Sequence, residues 1–234
     1  MKQTVIKVLL FLVALYLIIN FFAKPAKLTK MSKGNVEQVI ESNTLKQSSS
    51  STNYTYSMWF YVDDWNYKFG QQKVLLSRTD AANQPAPSVT LGSMENDITV
   101  SVATYPTTSN GSVGSSDVHD CVIKNYPLQK WVSLIVSVQG QTLDVYIDGK
   151  LNKTCVLEGV PKITTDRDVH VTPDGGFSGW TSNFQYWDKS SNPQEAYNIY
   201  KKGYGGGLLG NALNKYKLRV QVLKDNDVAG GFEL

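Results

Sequence analysis

The sequence predicts an all-β protein: a two-sheet antiparallel sandwich, with one transmembrane helix at the N-terminus and one short helix near the C-terminus. Three observations carry this. First, Trp131 to Leu151 (WVSLIVSVQGQTLDVYIDGKL) reads as two strands and the start of a third, joined by tight turns. Val132, Leu134, Val136 and Val138 alternate with Ser133 and Ser137, and Leu143, Val145 and Ile147 alternate with Asp144 and Asp148, the period of a half-buried strand. Asp148-Gly149 is a two-residue hairpin turn, which needs positive φ. Such a meander buries one face and needs a second sheet to bury it against. Second, short alternating runs separated by turn residues recur along the chain. Third, Thr4 to Ala23 is an apolar run broken only by Lys7 and Asn20.

That run is the N-terminal element. About twenty helical residues span roughly 30 Å, the thickness of a bilayer core. Val5, Leu9, Leu10, Phe11, Leu12, Leu15, Leu17, Ile18, Ile19, Phe21 and Phe22 supply its apolar surface, and Lys7 lies close enough to one end to snorkel. A cleaved signal peptide needs small residues at −3 and −1. Cleavage after Ala23 puts Phe21 at −3 and cleavage after Ala26 puts Lys24 there, so an uncleaved single-pass anchor over 1–23 is expected. Residues 24–35 then form a basic stalk, and 36–234 the sandwich.

Charge supports this division. The chain carries 23 basic and 20 acidic residues, and six lysines (2, 7, 24, 27, 30 and 33) precede the first acid, Glu37. The remainder holds 17 basic against 20 acidic residues, a balance of −3. The overall excess is a local feature of the N-terminus, which argues against a nucleic-acid face. The lysines after the helix favour a cytoplasmic sandwich. The sequons at Asn53, Asn110 and Asn152, and a disulfide between Cys121 and Cys155, would favour an oxidising compartment. The two cysteines flank the meander, a placement that suits either a disulfide or two buried thiols.

Within the sandwich, Val36 to Ile40 is the expected first strand. Tyr54 to Trp65 (YTYSMWFYVDDW) is a strand dense in aromatics, read as inner-sheet packing; sugar stacking would require several rings on an outer face. Lys73 to Ser77 is a short strand, and Arg78 to Ser88 a loop holding Pro85 and Pro87. Ser88 to Leu91 and Asp97 to Ala103 form a hairpin, Tyr105 to Ser116 is a loop tip, and Val118 to Ile123 brings in Cys121. Lys162-Ile163, Val169 to Val171 and Gly179 to Trp187 are strands. Asn192-Pro193-Gln194-Glu195 carries an N-cap, a proline for the first helical position and a capping-box glutamate. The helix should end at Lys202, with Gly203 as its C′ residue. Tyr216 to Leu223 is the closing strand.

The block Trp131…Leu134-Ile135-Val136…Leu143-Asp144-Val145-Tyr146-Ile147-Asp148-Gly149, followed by Gly179-Trp180…Asn183-Phe184-Gln185-Tyr186-Trp187, resembles the laminin-G-like branch of the concanavalin A-like jelly rolls. Pro127-Leu128-Gln129-Lys130-Trp131, Gly175 to Thr181 and Asn198 to Gly205 are similar to such domains in large DNA viruses of eukaryotes. This resemblance implies a jelly-roll sandwich in a virion protein, a minor capsid-type component. Its anchor would sit in the internal viral membrane, with the sandwich facing the capsid, and its partners would be the lipid bilayer and capsid proteins. A virus-encoded sulfhydryl oxidase could then form Cys121–Cys155 on a cytosolic face.

The alternative is a surface-displayed adhesion module that binds a glycan or a host protein. Glycoside hydrolysis is the weakest reading, because retaining glycosidases need two carboxylates about 5 Å apart. The six glutamates (37, 41, 95, 158, 195 and 233) form no alternating acidic run, and Asp63 and Asp64 point to opposite faces of a strand. No catalytic residue, cofactor or nucleic-acid partner is therefore expected. Calcium is the one metal worth weighing. Asp166 with Asp168, and Asp117 with Asp120, are its weak candidates, and solvated loop acids are the simpler reading.

Overall fold

The structure is a computed structural model that describes residues 28–47, 52–106, 117–205, 219–224 and 227–233, the last two stretches as backbone. The expected anchor, Thr4 to Ala23, lies outside them, and no helix among the described residues is long and apolar enough to cross a membrane.

Two antiparallel six-stranded sheets face each other. The first, sheet A, contains β1 (Ser32–Lys33), β3 (Tyr54–Asp64), β8 (Trp131–Gln139), β9 (Thr142–Ile147), β10 (Lys150–Val156) and β12 (Ser178–Trp187), in the order β1-β12-β3-β8-β9-β10. The second, sheet B, contains β2 (Gln38–Ile40), β4 (Lys73–Thr79), β5 (Pro85–Leu91), β6 (Ile98–Thr104), β7 (Asp117–Ile123) and β11 (Val169–Val171), in the order β2-β11-β4-β5-β6-β7. A separate hairpin joins β13 (Arg219–Lys224) to β14 (Asp227–Glu233).

The core forms where the inward sides of the alternating strands meet. Tyr54, Tyr56, Met58, Phe60 and Val62 of β3 pack with Val132, Leu134, Val136 and Val138 of β8 and Leu143 and Val145 of β9. Sheet B answers with Leu76, Val89, Leu91, Ile98, Val100 and Val102. The aromatic strand Tyr54 to Trp65 is thus inner-sheet packing along one of its sides. Arg78 is buried and, among the described residues, its hydrogen bonds go to neutral acceptors. Its N–H groups donate to Arg167 O at 3.1 Å, Tyr56 Oη at 3.0 Å and Gln47 Oε1 at 2.9 Å, which ties two loops to β3.

The meander forms as the sequence predicts, with Asp148 at φ 50° and Gly149 at φ 74° in its second turn. Its last strand, β10, is one edge of sheet A, and β7 is the edge of sheet B on the same side. Cys121 and Cys155 join these two edges in a disulfide, their Cα atoms 6.0 Å apart. Closing a loop with a sequence separation of 34 stabilises the fold by about 3–4 kcal/mol in the chain-entropy estimate.

Several expectations change. Residues 28–33, assigned by sequence to the stalk, lie on the sandwich: Leu28 packs on the core and donates its N–H to Phe184 O, and β1 pairs with β12. The first strand is Gln38–Ile40, shorter than Val36 to Ile40. β5 starts at Pro85, inside the expected loop, because β6 pairs with β5 only from Ser88 onward and leaves the prolines no ladder bond to supply on that side. Lys162-Ile163 is no strand; the segment makes one bridge, Thr104 to Pro161. β13 pairs with β14 among the described residues, where a closing strand of the sandwich was expected.

Candidate functional site

Strand register places a row of aromatic side chains on the outer face of sheet A. Directly paired residues of an antiparallel ladder point to one side. Lys33 pairs with Trp180, Trp180 with Tyr61, and Tyr61 with Trp131, so one row crosses four strands. The next row is Ser182, Trp59 and Ser133; beyond it come Gln185, Ser57, Ile135 and Tyr146. The last is Trp187, Thr55, Ser137 and Asp144.

The helix covers most of these rows. Its range, α1 (Pro193–Lys201), matches the sequence expectation in every cap: Asn192 accepts from Glu195 N–H, Glu195 accepts from Asn192 N–H, Lys202 is the C-cap and Gly203 has φ 68°. Ala196 and Ile199 bury against Ile135 and Tyr146, with Trp187 beside them. Tyr146 Oη and Ser137 Oγ both donate to Ser191 O just before the helix. Burial, with Asp144 nearby, pushes the Tyr146 hydroxyl up to about 12. β8 is therefore buried on both faces along most of its length, as is β9 at Tyr146, where alternation alone predicts a solvated outer face.

After the helix, Tyr200 stacks on Trp59 at 5.5 Å, and Tyr204 stacks flat on Trp131, 4.4 Å away at 8°. Among the described residues the aromatic cover ends there. Between Met31, Tyr61, Trp131 and Trp180 an open groove of about 310 Å³ remains. Met31 is 49% exposed and Trp180 is 39% exposed, while Tyr61 and Trp131 are half-buried.

Glycine-permitted contacts hold this groove. Gly34 N–H donates to Gly179 O at 2.7 Å and Phe177 N–H to Gly34 O at 3.1 Å. A Cβ on Gly179, at φ 148°, would lie 1.9 Å from Tyr61 O, so only glycine lets β12 pass close enough to β3 to bring Trp180 beside Tyr61. A larger depression, about 430 Å³, lies between Leu28, Leu45, Lys46 and the Tyr186–Lys189 segment.

The residues singled out by sequence fall elsewhere. Asp166 Oδ1 accepts from Thr164 Oγ1, which holds its carboxyl below the usual range, and Asp168 accepts from Ser42 N–H. Asp120 accepts from Ser101 Oγ at 2.6 Å, and Asp117 pairs along the ladder with Thr104. The carboxylates of Asp166, Asp168 and Asp120 are thus engaged in hydrogen bonds, and among the described residues no three His, Cys, Asp or Glu side chains come together to hold a metal. Of the sequons, Asn152 is exposed on β10, Asn53 accepts from Gly140 N–H, and Asn110 lies outside the described residues.

The aromatic row was missed because its members come from three separated segments. Parity gives a partial signal: once Val132 to Val138 point inward, Trp131 must point outward. The register that brings Trp180 and Tyr61 beside it is not visible in any one strand.

The family model for the concanavalin A-like lectin/glucanases superfamily matches residues 34–196. The chain belongs to that superfamily. No curated protein matches it significantly. Among solved structures, the receptor binding domain of botulinum neurotoxin D is similar to this lectin/glucanase sandwich, with TM-score 0.55 at 12% identity over 76% of this chain and 45% of that one. The receptor binding domain of the botulinum neurotoxin C/D mosaic serotype gives TM-score 0.54 at 12% identity, over 76% and 44%. The binding domain of botulinum neurotoxin DC in complex with rat synaptotagmin II gives TM-score 0.51 at 13% identity, over 70% and 39%. The superfamily chain spans less than half the length of these bacterial toxin domains, and at such identities the likeness concerns the fold.

Proposed function

We propose that the chain is a non-catalytic recognition module that binds a saccharide on the open row Trp180–Tyr61–Trp131, displayed on a membrane by the expected anchor over residues 4–23. The observation that carries this reading is three aromatic side chains in register that line an open groove, Trp131 with one ring face stacked by Tyr204, beside a helix that covers the rest of the face. Ring faces on a fixed platform bury the apolar C–H face of a sugar with little loss of side-chain freedom. The row itself contains no carboxylate, and nearby Asp63 accepts from Ser178 Oγ at 2.6 Å. That favours binding over glycoside cleavage, which needs a pair of acids flanking the scissile bond. The superfamily assignment and the receptor-binding role named for the toxin domains agree with recognition. The virion tether implied by the viral resemblance draws no comparable support from the matched structures.

The test is a glycan array probed with the full 234-residue chain in detergent, followed by titration of tryptophan fluorescence. At least one saccharide should bind and quench the signal. Trp180→Ala should weaken that saccharide about 30-fold, the effect of losing an aromatic anchor worth about 2 kcal/mol. An array with no saccharide bound, or binding that Trp180→Ala leaves intact, sinks the reading.

A further inference from the structure

The aromatic row has a charged end. Lys33 on the edge strand β1 is the register partner of Trp180, and it is exposed. At the other end, Lys130 Nζ sits 3.0 Å from Asp148 Oδ2 and is already paired. Lys33 has no ion partner among the described residues, so its charge is available to a ligand lying along the row. Asp63 stands on the same side of β3, two residues beyond Tyr61, and its carboxylate accepts from Ser178 Oγ.

Spacing sets the length of that ligand. Adjacent strands lie about 4.8 Å apart, close to the advance of one pyranose unit along a β-linked chain. Trp180 and Trp131, two strands apart, therefore stand about 10 Å from each other across the sheet. Lys33 lies about 5 Å further on. Two consecutive sugar rings fit over the Trp180–Tyr61–Trp131 row, and a substituent on the next unit falls over Lys33.

We propose that the groove selects an acidic oligosaccharide, laid across the strands, whose carboxylate or sulfate is received by Lys33. This rests on the saccharide reading above and adds orientation and charge to it. A charge-assisted hydrogen bond to an ammonium at the rim discriminates acidic from neutral chains, while the aromatic row supplies the shared affinity.

The experiment compares linear β-linked tetrasaccharides of one backbone in three forms, cellotetraose, its uronic-acid counterpart and its sulfated counterpart, against the full chain in detergent. At least one acidic form should bind about tenfold tighter than the neutral parent at low salt. That advantage should vanish in Lys33→Gln, persist in Lys33→Arg and shrink as salt rises. Whether the uronic or the sulfated form carries the advantage identifies the acidic group. Equal binding of neutral and acidic forms, or an advantage that survives Lys33→Gln, overturns the acidic preference and leaves the saccharide reading standing. No binding of any form overturns the acidic strand-crossing ligand and leaves the saccharide reading to the array, whereas binding indifferent to Trp180→Ala overturns both.

Discussion

The outer face of sheet A has a covered half and an open half, built on the same strands. In the covered half, Ile135 and Tyr146 are sealed by Ala196 and Ile199 of α1, and the serine hydroxyl at 137 is engaged by the Ser191 backbone. In the open half, Tyr61, Trp131 and Trp180 line a groove of about 310 Å³. Both halves are rich in apolar surface; what separates them is where the chain after β12 runs. Tyr204 marks the border, stacking on Trp131 from the covered side. A sheet face that burial leaves unfinished is where a partner gains most by binding. Stability should therefore reside in the covered half, and recognition in the open one.

The largest expected effect lies in the covered half. Ile135→Ala should cost about 2–5 kcal/mol, because the side chain is fully buried between sheet and helix and its removal leaves a cavity. Chemical denaturation measures it, and a cost under about 1 kcal/mol would mean that α1 is not what seals this face.

A smaller effect concerns pH. Glu195 closes the capping box and meets Lys189 at 2.6 Å, and its carboxyl is held below the usual range first by that lysine and then by the Asn192 N–H. The folded value is depressed, so its contribution is complete above the unfolded value of about 4.3 and is lost as pH falls through the folded one. Near-ultraviolet circular dichroism of the Trp59–Tyr200 stack should begin to fade below about pH 4, and Glu195→Gln should remove that step. An unchanged acid profile in the variant would sever α1 capping from the cover.

The same division explains what the sequence discloses. Period-2 runs in β3, β8 and β9 announce their inward sides, and local chemistry fixes α1: Asn192, Pro193, Glu195 and Gly203 act within one turn of the helix ends. The disulfide edges were legible as one of two alternatives, because Cys121 and Cys155 flank the meander. The outer-face row was not legible. Its register depends on pairings as distant as Tyr61 with Trp180 and on a bulge between Ser182 and Gln185, where Asn183 takes φ 54°. Neither leaves a short-range signature. The serines of β8 mislead for a related reason: small and polar in sequence, they are buried because α1 and its flanking loop lie over them.

The smallest expected effect is the one that separates the halves most cleanly. Lys33 stands at the exposed end of the open row, outside the core and away from α1, so Lys33→Gln should change unfolding free energy by no more than about 0.5 kcal/mol, as for most surface substitutions. Backbone pairing of Ser32 and Lys33 with Thr181 and Trp180, continued by the Gly34–Gly179 and Phe177–Gly34 bonds, holds β1 to β12 and does not use the lysine side chain. A loss well above that limit would mean that the lysine braces the edge strand, and the open row would then belong to the fold as much as the covered half does. A null effect on stability joined to a change in saccharide preference places the cation with the ligand.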